Sequence, residues 1–146
     1  MAEYSAVAAQ VVATNQNVLF TEDPVRSGDC TMHREGSGII TLRGLVRNRG
    51  CNCNSKARYR VSFGANIAIP TGGTAGPISL ALAIGGEVLP ATQMIVTPAA
   101  VNEFFNVSRS TYIEIPAGCC QELSVKNTSG TNVTVQNANI IVERVA

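Results

Sequence analysis

Two alternating runs frame the stretch from Ala57 to Ile84. In the first, Tyr59, Val61 and Phe63 fall on one side, and Arg58, Arg60 and Ser62 on the other. Strand side chains alternate with a period of two, so this run predicts a half-buried strand. In the second, Ile78, Leu80, Leu82 and Ile84 share one side, while Ser79, Ala81 and Ala83 take the opposite one. Side chains as small as these suit a face packed close against something. Between the runs, Pro70 to Pro77 reads PTGGTAGP, which continues neither strand nor helix and tolerates positive φ at several positions. The pattern predicts a central hairpin with a long connection, on which the rest of the chain packs.

Taken in order, the rest of the chain adds more short strands. Val18 to Phe20 reads as one, and Gly38 to Leu45 as the next, with a polar, turn-rich segment from Thr21 to Arg34 between them. Leu45 to Lys56 has the composition of an exposed loop. Gln93 to Thr97 is a short strand, and Glu103 to Ile115 one or two strands with a break near Ser108 to Ser110. Glu122 to Asn127 and Val133 to Val145 close the series, with Gly85-Gly86 and Ser129-Gly130 as hairpin turns. Regular short strands divided by turn signals predict an all-β sandwich or barrel.

Residues 1–14 lack a strong period. They predict an N-terminal arm, with the folded domain spanning 15–146. The arm carries Tyr4, Val7, Val11 and Val12, with Glu3 as its only charge. That is too apolar for a plain solvated tail and too short to be stable alone, so it is expected to be ordered by contact with a neighbouring subunit or a decorated surface.

The chain has 146 residues, enough for one domain with its own core. Charged residues make up 14%, against an average of about 25%. Low charge among many Ser, Thr, Asn and Ala suggests surface covered in an assembly. The net charge of +1 offers no field for nucleic acid. Seven arginines from Arg26 to Arg60 mark a patch for an acidic partner surface or simply solvated faces. The N-terminus has neither a basic n-region nor an unbroken apolar run, and no stretch reaches transmembrane length. Synthesis in a cytosol without membrane insertion is the expectation, and three Asn-x-Ser/Thr sequons are then ordinary strand and turn residues.

Candidate chemistry centres on five cysteines and one histidine. Cys30 and His33 form Cys-x-x-His, Cys51 and Cys53 form Cys-x-Cys, and Cys119 and Cys120 are adjacent. Such thiolates with an imidazole are the donors a zinc site uses, although the spacing differs from Cys-x-x-Cys ribbons. Disulfides and inert thiols are the alternatives, and an odd count leaves one thiol over or pairs it between subunits. A Cys30–His33 nucleophile and base, with Asp29 orienting, would sit in one loop that cannot hold a triad. No Ser-His-Asp set, phosphate loop or paired-carboxylate motif occurs. The expectation is a non-enzyme without a cofactor.

The order of GIITLRG from Gly38, YRVSF from Tyr59, ISLALAIGGEVL from Ile78, TYIEIPAG from Thr111, LSVKN from Leu123 and NIIVERV from Asn139 resembles a family. It is similar to the ten-stranded jelly-roll heads of the tumour-necrosis-factor and complement type, in their bacterial and phage versions, over residues 15–146. The resemblance implies an antiparallel jelly roll of eight to ten strands that forms a homotrimer through apolar faces around a three-fold axis. Tyr59, Val61, Phe63, Ile78, Leu80, Leu82, Ile84, Phe104 and Tyr112 are then core or trimer-interface residues. Bacterial members carry a collagen-like stalk, and this chain has no Gly-X-Y tract. A stand-alone head looks like a phage virion component: a capsid decoration or fibre-head protein whose partner is the major capsid protein or another virion component. The alternatives are a module that binds a surface glycan or receptor, and a bacterial spore or cell-surface component.

Overall fold

A computed structural model describes residues 1–26, 30–44, 56–116 and 120–145. The described residues form two antiparallel sheets packed face to face, a jelly-roll sandwich without an α-helix. Strands are numbered in chain order. The front sheet contains β1 (Ala2–Ala6), β2 (Gln10–Val12), β3 (Glu22–Val25), β6 (Lys56–Ala68), β10 (Phe105–Pro116) and β12 (Val133–Arg144). Its order is β10-β6-β12-β1-β3, with β2 following β1 along the same edge of β12. The back sheet contains β4 (Thr31–His33), β5 (Ile40–Arg43), β7 (Ile78–Ile84), β8 (Glu87–Val88), β9 (Met94–Val96) and β11 (Cys120–Asn127). Its order is β4-β5-β11-β7-β8, with β9 beside β8 on the outer edge of β7.

The alternation along β6 sets the interior. Tyr59, Val61, Phe63, Ala65 and Ile67 point inward and are buried against Ile40, Leu42, Ile78, Leu80, Leu82, Leu123 and Val125 of the back sheet. Burying a side chain of this size stabilises by about 1.5–3 kcal/mol, so this interdigitated layer is the main source of stability.

Several expectations are corrected. The run from Ala57 to Ile84 is not a hairpin: β6 lies in the front sheet and β7 in the back one, so the Pro70–Pro77 connection crosses between sheets. Alternation shows that a strand has one buried face, not which strand it pairs with. The small face of β7 needs no neighbouring subunit, because Ser79, Ala81 and Ala83 are already buried within the single chain. Ser79 Oγ meets Thr128 Oγ1 at 2.6 Å. Lys126 stands opposite Ala81 and its Nζ donates to the Gly86 carbonyl at 3.1 Å, which lays its aliphatic stem along this face. Between β8 and β9, buried Thr92 completes the edge of β7: Leu82 N donates to Thr92 Oγ1 at 3.0 Å.

The N-terminal residues are no detached arm. β1 sits inside the front sheet between β12 and β3, and Tyr4 and Val12 are buried in the core. Of the four residues singled out there, Val7 and Val11 are exposed. The strands are short and broken by polar residues, which hid the period, but pairing with β12 supplies what they lack alone. The turn-rich segment from Thr21 contains β3 and β4. Pro24 is tolerated because β3 is an edge strand, where a missing N–H costs no ladder bond. Val18 to Phe20 forms no strand; Val18 N donates to Val125 O at 2.8 Å and continues the edge of β11 beyond β5. β10 runs without a break through Ser108 to Ser110, since β6 pairs it throughout. The loop expected over 45–55 lies outside the described residues. No helix among the described residues is long and apolar enough to cross a membrane.

Candidate functional site

The outward face of the front sheet is built of rows that cross its strands. Ser110, Ser62, Ile141 and Glu3 form one row on β10, β6, β12 and β1; Ser108, Gly64, Asn139 and Ser5 form the next. Asn106, Asn66 and Gln136 follow. Ser62 Oγ and Ser110 Oγ lie 3.0 Å apart, and Asn106 Nδ2 donates to Asn66 Oδ1 at 3.1 Å. Asn139 Nδ2 donates to Glu3 Oε1, which engages the one carboxylate in these rows. Side chains this short leave a flat surface that another surface can approach closely.

Charge gathers at one end of that face. Arg58 donates to Glu114 at 2.8 Å, and Lys56 lies 3.5 Å from the same carboxylate. The Arg58 hydrogen bond, then the Lys56 charge, hold the Glu114 carboxyl below its usual range. Tyr112, Arg60 and Glu143 form the adjoining row.

The second polar cluster lies on the open side of the sandwich, where β3 faces β4. The His33 side chain is buried there. Its Nδ1 lies 2.7 Å from Asp23 Oδ1 and its Nε2 2.9 Å from the Ser37 carbonyl. Tyr4 packs on the ring with centroids 4.6 Å apart, and Phe20 meets it edge-on at 6.3 Å. The Tyr4 hydroxyl contacts Thr31 Oγ1 at 3.0 Å. Burial above all, with a push from the Asp23 charge, raises the Tyr4 phenol above its ordinary value; the Thr31 bond offsets part of this. A groove of about 540 Å³ opens beside the cluster, lined by Arg26, Arg34 and Glu35 among others.

This geometry corrects the zinc candidate. Both His33 nitrogens are engaged, so the ring is not free to join Cys30 on a metal. Cys30 and Cys120 flank Arg43 in one register row, since Arg43 N donates to Cys30 O at 2.9 Å and Arg43 pairs with Cys120. Two strand spacings separate them by about 10 Å, beyond disulfide reach. Both are free thiols, Cys30 half-buried and Cys120 exposed. No group of three metal-binding side chains occurs among the described residues. Cys51, Cys53 and Cys119 lie outside the described residues.

The other candidates divide cleanly. Tyr59, Val61, Phe63, Ile78, Leu80 and Leu82 are core, and Ile84 is half-buried at its margin. The first six are therefore core residues of the single chain. Phe104 and Tyr112 are exposed, with Tyr112 at 64%. Sequence reasoning missed Asp23, whose neighbour Pro24 signalled only a turn. It also missed the Ser and Asn rows, whose signal was the polar half of the β6 alternation.

No family model matches the chain, and neither does any curated protein. Solved structures do match. The Eiger TNF of S. frugiperda superposes with a TM-score of 0.69 at 13% identity, over 99% of this chain and 91% of that one. The globular domain of zebrafish complement 1qA gives 0.60 at 14% identity, over 96% and 94%. The chain has the fold of the TNF and complement globular heads. Murine APRIL agrees, at 0.56 and 10% identity over 95% and 97%. In this TNF-like frame, the flat face is the outside of the longer-stranded sheet, and the His33 cluster closes one open side.

Proposed function

We propose that this protein works by assembly and not by catalysis, as a homotrimeric jelly-roll head on the outside of a virion. The observation that carries the reading is the flat, short-chained outer face of the front sheet, with Gly64 at its centre. The resembled family joins three copies around a three-fold axis, and this face suits such close approach. It differs from the apolar faces implied by that resemblance, because its central rows are mostly Ser and Asn, with Ile141 among them and exposed Val11 and Val25 toward the margin. Hydrogen bonding between copies then contributes beside burial. A stable interface covers about 800 Å² per partner, within the reach of two long strands and their neighbours.

The setting we propose, capsid decoration or a fibre head, draws on low charge and on resemblance to stand-alone heads. The major capsid protein or another virion component is the docking partner in this reading, and a bacterial spore or cell surface is the alternative setting.

Light scattering at micromolar concentration tests the assembly. The wild type is expected at three times the chain mass. A Cβ added at Gly64 meets nothing nearer than Val107 O at 3.9 Å, so Gly64→Arg adds bulk to the face without an internal clash. It is expected to yield folded monomer. A monomeric wild type, or a trimeric Gly64→Arg variant, rules this face out.

A second reading, glycan or receptor binding, is favoured by exposed Tyr112 beside Arg60. Aromatic faces stack on sugars and arginine pairs with carboxylates. Glycan-array binding that Tyr112→Ala abolishes would support it.

A further inference from the structure

The open side between β3 and β4 is bridged by backbone at one end, where Phe20 N donates to Ser37 O at 3.1 Å and Gly36 N to Phe20 O at 2.9 Å. β3 is an edge strand with Pro24 within it, and only two register pairs, Glu3 with Val25 and Ser5 with Glu22, join it to β1 across an irregularity. β4 is the opposite sheet's edge, with three pairs to β5. Along the strands themselves side chains join the seam, and His33 links its two sides.

The acceptors around that ring impose a proton count. The Ser37 carbonyl can only accept, and it already receives Phe20 N at 3.1 Å as well as His33 Nε2 at 2.9 Å. The Asp23 carboxylate accepts at 2.7 Å when ionised. Both contacts are hydrogen bonds only when the Asp23–His33–Ser37 chain holds two protons. These are either both on the ring, or one on Nε2 and one on Asp23. With one proton, a ring lone pair faces either the carboxylate or the carbonyl at hydrogen-bond distance. Burial sharpens the cost, because no solvent reaches the ring to take over.

We propose that His33 is a proton-dependent latch between β3 and β4: the two-proton state ties Asp23 to the 34–37 turn, and loss of one proton releases the seam over Tyr4 and Phe20. The other groups facing the ring are accounted for. Tyr4, from β1, keeps its phenol proton because burial favours the neutral form, and its Thr31 contact needs no charge. Arg26, beyond β3, is paired with Glu35 at 2.9 Å, so their charges offset one another beside the groove. Arg34 lines the same groove from the turn. Phe20 and Thr31 do not titrate. The latch lies within one chain, and its strand β3 borders the flat face through Glu3 and Ser5 of β1.

His33 is the chain's only histidine, so a single imidazole spectrum reports it without assignment. The experiment measures ¹⁵N imidazole signals and amide hydrogen exchange on the intact wild type between about pH 5 and about pH 9, with intrinsic exchange corrected, across the range where imidazoles titrate. The expected result is a change in imidazole proton state accompanied by at least about a tenfold loss of protection in 22–25 and 31–33, with β6 unchanged. His33→Gln and Asp23→Asn are expected to abolish the pH dependence of those amides. If either variant fails to fold, the wild-type comparison still decides. Seam amides that follow β6 at every pH, or a ring that loses its proton with protection intact, overturn the latch.

Discussion

The phenolic oxygen of Tyr59, on β6 of the front sheet, donates to the Arg43 carbonyl of β5 in the back sheet at 2.6 Å. It also reaches the Cys30 carbonyl, beside β4, at 2.9 Å. One side chain from the centre of the core thus serves two strand ends of the opposite sheet. Tyr59→Phe keeps the ring and removes the donor. It is expected to cost about 1–3 kcal/mol, the penalty for taking the phenolic donor from these part-buried carbonyls. Urea unfolding checks this, with a lower midpoint and an unchanged slope. An unchanged midpoint would mean that water replaces the phenol.

Alkaline stability follows from the same residue and from Tyr4. Burial, the largest cause for each, raises both phenols above their ordinary value; the charge of Cys30 adds to this for Tyr59 and that of Asp23 for Tyr4. The folded chain therefore keeps these protons after the unfolded chain has lost them. This contribution is whole below the ordinary phenol range, near about pH 10, and is lost as pH rises through the higher folded values. Melting temperature is expected to drop steeply above that range, and less steeply in Tyr59→Phe. Equal slopes in the two proteins would deny the shift.

Gly38 is fixed by space and not by backbone angle. A Cβ there would lie 2.7 Å from Asn17 Cβ and 2.8 Å from Val18 O. The second contact is backbone and cannot rotate away. Gly38→Ala is expected to destabilise by about 1–3 kcal/mol through overpacking. The midpoint of thermal unfolding reads it, and a change of less than a degree would show that the 17–18 segment yields freely.

Deletion of residues 1–6 removes β1 from between β12 and β3. It strips Ala2, Tyr4 and Ala6 from the core and leaves two strand edges unpaired. The truncated chain is expected to show no cooperative thermal transition. A folded, truncated protein would restore the view of this segment as a separable arm.

How much of this was legible in the sequence depends on the kind of signal. The alternation of Tyr59, Val61 and Phe63 identifies a strand and its buried face, because period two is local. Turn chemistry at Gly85-Gly86 likewise marks a real reversal, with both glycines at positive φ. Partner choice is not local, which is why the Pro70–Pro77 connection reads as a hairpin when it changes sheets. β1 to β4 are too short to show a period, and their pairing partners lie more than a hundred residues away in the case of β1 and β12. The His33 cluster was invisible for the same reason: Asp23 and Tyr4 reach the ring only after two sheets have closed on each other. The flat face was half legible, as the polar side of β6, but its rows exist only once β10 and β12 lie alongside.

Ala2 pairs with Val142, so the first and last strands run antiparallel as neighbours and leave the fold at one pole. Lys56, Pro116 and Cys120 begin or end their strands at that same pole, while 70–77, 102–104 and 128–132 cluster at the other. The molecule therefore has a base and a tip. Anything joined to either end of the chain would emerge from the base, and the tip loops would face outward, unhindered by the tether. Loop grafts for display belong at 70–77, where no strand register depends on length. A tag at either terminus would crowd the base.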